Sequence, residues 1–189
     1  MKARRIKGLD PAAPLADNAE RIVRVRLDEL CSFMPRAGDP AEVVALHDMR
    51  IAAKRLRYIL EITGPCFGAY ARTAVKAAKD LQDLLGEIHD CDVQLPEVRA
   101  FLGELVTEDA QGLLARADGA QDLDPAMIRQ APNRAAYAGL VALATHLQAR
   151  RELLFSRFEE LWRELGRRGY RSRLEFAVGE RGGDTISAE

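Results

Sequence analysis

His47, Arg50, Lys54, Arg57 and Glu61 follow one another at steps of three and four residues, the repeat that brings side chains to one face of an α-helix. On a helical wheel the five fall within about 80° of arc, and neighbouring members stand about 5 Å apart along the axis. Met49, Ala53, Leu56, Ile59 and Leu60 take the opposite side, while Arg55 stands apart and flanks the stripe. Like charges at these spacings repel by about 0.2–0.5 kcal/mol per pair. Stability alone would interleave carboxylates, and only Glu61, at the far end, supplies one. Guanidinium forks and ammonium heads match phosphate oxygens, and histidine adds a donor whose charge follows pH.

A single basic stripe is by default a solvated face, so repetition elsewhere decides its weight. Arg72, Lys76 and Lys79 recur at helical spacing further on, Arg21 and Arg24 precede the stripe, and His146 and Arg150 follow near the C-terminal end. If these faces converge, the result is an elongated cationic groove. Such a groove suits a linear polyanion of repeating charge better than a compact metabolite.

The elements that must hold these residues are helical. The chain has 189 residues, 48% hydrophobic but only 6% aromatic, a composition in which Ala and Leu fill the core and helices pack on helices. Formal charge is −1, from 28 basic and 29 acidic residues, which excludes a uniformly basic protein. The charge is nonetheless sorted: residues 1–80 hold 15 basic and 10 acidic residues, and residues 81–133 hold 3 and 11. Apolar periodicity predicts helices over 16–34, about 40–63 with Asp39 as N-cap and Pro40 in the first turn, about 69–90, a fourth opening near Asp92 and Pro96 and reaching about 117, and a last over 134–165. Residues 118–133 read as a linker and 170–178 as a short extended piece. The expected fold is all-α, a bundle of four to five long helices. Its expected limits are a flexible segment over 1–15, the bundle over 16–170, and a tail over 171–189, disordered at its end.

Other chemistries find less support. His47, the His89-Asp90 pair and Asp92 invite comparison with a metal-dependent phosphohydrolase of the HD type, but a metal site prefers carboxylates where this chain places cations. Asp90 or Asp92 reads better as a helix cap. Nucleic acid is not expected as partner, because the basic stripes lack stacking aromatics apart from Tyr58. Three cysteines without CxxC spacing imply no disulfide framework and a reducing, cytoplasmic setting. No apolar run approaches the roughly 18 residues of a membrane span. No catalytic residue, metal or cofactor is expected.

The stretch Leu46-His47-Asp48-Met49-Arg50-Ile51-Ala52-Ala53-Lys54-Arg55-Leu56-Arg57-Tyr58-Ile59-Leu60-Glu61 resembles the signature helix of CHAD domains, the conserved histidine α-helical domains. Leu81-Gln82-Asp83-Leu84-Leu85-Gly86-Glu87-Ile88-His89-Asp90 resembles the family's next signature. The resemblance covers about 40–95 and extends to the helices around 16–34 and 140–165. It implies an all-helical domain that binds inorganic polyphosphate through basic residues lining a cavity, with polyphosphate granules as the implied location. Carried over by position, the binding set is His47, Arg50, Lys54, Arg55 and Arg57, then His146 and Arg150; Arg21, Arg24, Arg72, Lys76 and Lys79 rest on helical spacing alone. CHAD domains usually carry two such repeats, and this chain carries the signature once. A half-cavity or a homodimer is the corresponding expectation. His89 also departs from the family pattern.

Overall fold

Stretches rich in Ala, Leu and long charged residues are strong helix formers. In the computed structural model, which describes residues 2–119 and 125–180, they form five α-helices: α1 (Leu15–Cys31), α2 (Val43–Thr63), α3 (Tyr70–Ala117), α4 (Arg134–Arg167) and α5 (Tyr170–Gly179). The all-α expectation is met. Short 3-10 turns cover Arg36–Gly38, Gly64–Cys66 and Pro125–Gln130. The expected linker therefore contains a helical turn, and its residues 120–124 lie outside the described residues, as do residues 181–189 of the expected tail.

Three element boundaries differ from expectation. The helices expected to break between 90 and 96 are one, and Pro96 lies inside α3. Proline there removes the N–H that would bond the Asp92 carbonyl, but the stripe of buried Cys91 and Leu95 runs on beyond it through half-buried Val98, Leu102 and Leu105. Asp39 does not cap α2. Its carboxylate accepts the Ala41 N–H at 2.8 Å, an Asx turn that ends before the helix starts at Val43. The segment expected to be extended is α5. Tyr170, Leu174, Ala177 and Val178 are buried, which is the i, i+4, i+7, i+8 pattern of a helix; tertiary burial outweighed the β preference of its Tyr, Phe and Val. Gly169, at φ +64°, makes the reversal between α4 and α5 in a conformation that costs a side-chain-bearing residue energy.

The chain divides into two units, the described residues of Met1–His89 with Leu154–Glu189, and Asp90–Leu153. The second is an antiparallel hairpin formed by the later part of α3 and the earlier part of α4. Asp92 pairs with Arg151 at 2.9 Å, so this carboxylate is an ion-pair partner and not a cap. Further along, buried Asp109 accepts bonds from the Asn133 backbone N–H at 3.1 Å, the Asn133 side chain at 3.0 Å, and the Tyr137 hydroxyl. The hydrogen bond to that carboxylate, with burial, pushes the Tyr137 phenol up to about 12.

The first unit has the larger core. Leu27, Leu30, Leu46, Met49, Leu56, Leu60, Leu81, Leu85, Ile88, Phe158 and Leu174 are almost wholly buried there. Among them sits one carboxylate, Glu29 on α1, only 1% exposed. It accepts from the Arg26 guanidinium at 2.6 Å, from Arg55 of α2 at 3.3 Å and from the Arg4 backbone N–H at 3.0 Å. Through these bonds one side chain fastens the N-terminal segment and α2 to α1. Removing one partner of a buried pair leaves the others uncompensated. Glu29→Ala is expected to cost about 3 kcal/mol of stability, measured by thermal or urea unfolding. A loss below about 1 kcal/mol, the scale of an exposed pair, would show that the cluster is a surface feature.

Candidate functional site

α2 is amphipathic in an unusual sense. Ala45, Leu46, Met49, Ala52, Ala53, Leu56 and Leu60 form its buried face, but the opposite, cationic stripe is not open to solvent throughout. His47, Arg50 and Arg57 are half-buried, and only Lys54 is exposed. The cover comes from α3. The His47 and His89 ring centroids lie 4.6 Å apart, and a Cβ built on Gly86 would meet Arg50 Cδ at 3.9 Å. These two contacts fix an antiparallel register in which residues 47 and 50 of α2 face 89 and 86 of α3. Gln82, Gly86 and His89 share one line on α3 by their four- and three-residue steps, and all three are half-buried.

The polar chemistry of this cleft is incomplete within the protein. His47 Nδ1, Arg50 Nε, Arg57 Nε and Gln82 Oε1 are buried and make no hydrogen bond, whereas buried polar atoms are nearly always paired. Arg57 Nε stands 3.4 Å from the Glu61 carboxylate, outside hydrogen-bonding alignment. Neither Arg50 nor Lys54 has an ion-pair partner among the described residues. Lys54 Nζ and the Arg57 guanidinium lie 5.7 Å and 4.7 Å from the centre of the Tyr58 ring, a cation–π arrangement that steadies both. Burial, the neighbouring His89 and then Arg50 hold the His47 imidazole below its usual range, so at neutral pH it is uncharged. The site therefore consists of three cations, one neutral imidazole that can become a fourth, and buried donors without acceptors.

Several other residues of the first unit singled out in the sequence are engaged elsewhere. Arg55 faces α1 and pairs with Glu29, which corrects its inclusion in the ladder: it sits on the flank that its wheel position indicated. Arg21 donates to the Gly8 carbonyl. Arg24 pairs with Glu20 at 2.9 Å and donates to the Glu175 carbonyl of α5 at 3.2 Å. Lys79 pairs with Asp83 at 3.0 Å. Arg72 lines an open cavity of about 1100 Å³ with Leu60, Glu61, Phe67, Val75 and Glu180. Arg72, Lys76 and Lys79 are exposed, turned about 60–120° around α3 from the Gln82–Gly86–His89 line. His146 and Arg150 belong to the second unit. Within the first unit, the basic and polar groups that come together form a cleft between α2 and α3. Helical spacing on α3 carried the signal for Gln82, Gly86 and His89, but as a line of uncharged groups it did not stand out.

Among the described residues, no group of three or more His, Cys, Asp and Glu side chains is placed to hold a metal ion, and no helix is long and apolar enough to cross a membrane. A model of the CHAD domain family matches residues 2–99. No curated protein and no solved structure matches the chain. The matched span contains α1, α2 and the part of α3 that covers the ladder; His146 and Arg150 fall outside it.

Gly86 offers a direct check on the packing. Glycine inside a helix costs about 0.5–1 kcal/mol relative to alanine, and an added methyl would sit at ordinary contact distance from Arg50. Gly86→Ala is expected to raise stability by about that amount. Destabilisation in a thermal melt would mean that α2 and α3 approach more closely than the Arg50 contact indicates.

Proposed function

The chain belongs to the CHAD domain family, and from that premise we propose that it binds inorganic polyphosphate, without catalysing a reaction, through His47, Arg50, Lys54 and Arg57 in the α2–α3 cleft. Family membership supports a function of the polyanion-binding type. The narrower reading is carried by one observation: three ring or guanidinium nitrogens, spaced along one helix face, are buried without an acceptor. A chain of phosphates offers repeating anionic acceptors to such a row, and charge-assisted bonds of this kind are about twice as strong as neutral ones. The assignment leaves out Arg55, Arg21, Arg24 and Lys79, whose charges are engaged within the protein. Association with polyphosphate granules, and pairing of two copies to extend the cleft, belong to this same proposal.

Two alternatives carry less weight. The HD-type phosphohydrolase would need a metal site, and among the described residues no group of three or more His, Cys, Asp and Glu side chains is placed to hold one. A nucleic acid would need aromatic faces for its bases, and the exposed aromatic beside the ladder, Tyr58, already has a guanidinium over its ring.

Replacing Arg50, Lys54 and Arg57 together by alanine is expected to abolish binding of long-chain polyphosphate in a calorimetric titration, with helicity by circular dichroism unchanged. Undiminished affinity would reduce the ladder to a solvated face. Matched single-stranded DNA should compete poorly; equal competition would favour the nucleic-acid reading. The sequence set of five cations gave about 3 to 4 decades of affinity lost per decade of salt, at about 0.7 per phosphate contact. With Arg55 turned away, three permanent cations remain, and at about pH 9, where the imidazole stays neutral, the slope of log affinity against log salt is expected to be about −2.

A further inference from the structure

The cleft contains one titratable group that neither the ladder nor the family pattern supplies. His89 lies on α3 with its ring 4.6 Å from that of His47, the planes inclined by 49°. Both are half-buried, and His47 Nδ1 is sealed from solvent without a hydrogen bond. The charged neighbours on α2 are Arg50, one turn further along, and Asp48; on α3 they are Glu87 and Asp90, adjacent in sequence, and Asp92, three residues on from His89 and paired with Arg151. A neutral imidazole presents one N–H and one lone pair. Two neutral rings facing a phosphoryl oxygen therefore present two lone pairs as well as two donors, and lone pairs repel the anion. Adding a proton converts an acceptor into a donor and supplies a positive charge where the ligand brings a negative one.

We propose that His89 is a further polyanion-binding residue, and that with His47 it forms a two-imidazole phosphate subsite, next to Arg50, that takes up one proton from solvent as a phosphoryl group binds. The proton goes from water to an imidazole nitrogen, and no bond to phosphorus is made or broken. In the unliganded protein His47 resists protonation: burial, His89 and Arg50 hold it below its ordinary range. For a group depressed in this way, the contribution to stability is present above the unfolded value of about 6.5 and is lost as pH falls through the folded one. A bound anion reverses the preference, since it stabilises the charged ring. Binding should therefore strengthen as pH falls. The inference rests on the polyphosphate reading, and it adds that the response to pH arises from two rings rather than one.

Calorimetric titration of long-chain inorganic polyphosphate into the full chain, in buffers of low and high ionisation enthalpy at pH 7, measures the proton directly. The interior phosphates of such a chain stay fully ionised across this range, so a buffer-dependent enthalpy reports on the protein. We expect uptake approaching one proton, and affinity falling by up to about tenfold per pH unit between pH 6 and 8. His89→Gln and His47→Gln should each flatten that profile, with affinity at pH 6 dropping toward the value at pH 8. A wild-type enthalpy independent of buffer would overturn the inference without need of any variant. So would a folded His89→Gln protein that keeps the full pH slope. Absence of polyphosphate binding at every pH would instead remove the functional reading, and this inference with it.

Discussion

A row of cations can be half-buried on one side of a helix only if that helix is prevented from rolling about its axis, and here one restraint is the carboxylate of Glu29. The apolar face of α2, with Leu46, Met49, Leu56 and Leu60 wholly buried, seats the helix on the core, and a bond on its flank adds a further restraint. The bond from Arg55 to Glu29 is directional. It ties one flank of α2 to α1, and the opposite flank then turns His47, Arg50 and Arg57 toward α3. The same carboxylate bonds the Arg4 N–H, so the N-terminal segment becomes part of the restraint. Removing a carboxylate from water is costly, and its three bonds offset that cost while fixing the geometry on the far side of the helix.

The cleft that results places stability and binding in opposition. Each buried polar group left without a partner costs about 1–3 kcal/mol, and the α2–α3 contact contains four such atoms. A sequence selected for stability alone would replace them or bring carboxylates among them, as it does for Lys79 with Asp83. An anionic ligand that accepts from His47 Nδ1, Arg50 Nε and Arg57 Nε would recover their share of that cost on binding, while the Gln82 Oε1 acceptor would still need a donor. Position within the row sets the character of each contribution. Arg50 and Arg57 are desolvated at Nε and act at short range with fixed geometry. Lys54 is exposed and adds charge with little direction. His47, at one end, is held below its usual range by burial, His89 and Arg50.

Much of this was legible in the sequence because α2 advertises itself twice, once by apolar spacing and once by charge spacing. The second signature, from Leu81 to Asp90, likewise gave α3 and its neighbourhood. What the sequence hid were partners distant along the chain. Nothing local to Arg24 tells of the Glu175 carbonyl, and nothing local to Arg55 tells of Glu29, so residues engaged inside the protein looked equivalent to those that are not. The continuity of α3 through Pro96 was hidden for a related reason. A proline is a local break signal, and the packing of the hairpin that overrides it is tertiary. In α5, similarly, strand-forming residues are held in a helix by what they bury.

Near-neutral net charge bears on how selective such a site can be. Screening confines the influence of a surface charge to about 8 Å at physiological ionic strength, so an acidic residue acts on the cleft only from within that distance, while the near-neutral total limits the molecule's attraction for polyanions at large. A uniformly basic protein would collect nucleic acid and membrane surface indiscriminately. Here attraction exists only where several donors converge, and convergence is a matter of spacing. Repeating acceptors can engage Arg50, Lys54 and Arg57 together, whereas a ligand with one phosphate meets one of them at a time. Because the contacts act along a rigid helix, each one made holds the next acceptor near its donor, which raises the effective concentration for the following contact. On the proposed polyphosphate reading, selectivity for a linear polyanion would follow from the geometry of a single helix face, one flank of which is tied to α1 through the buried Glu29 carboxylate.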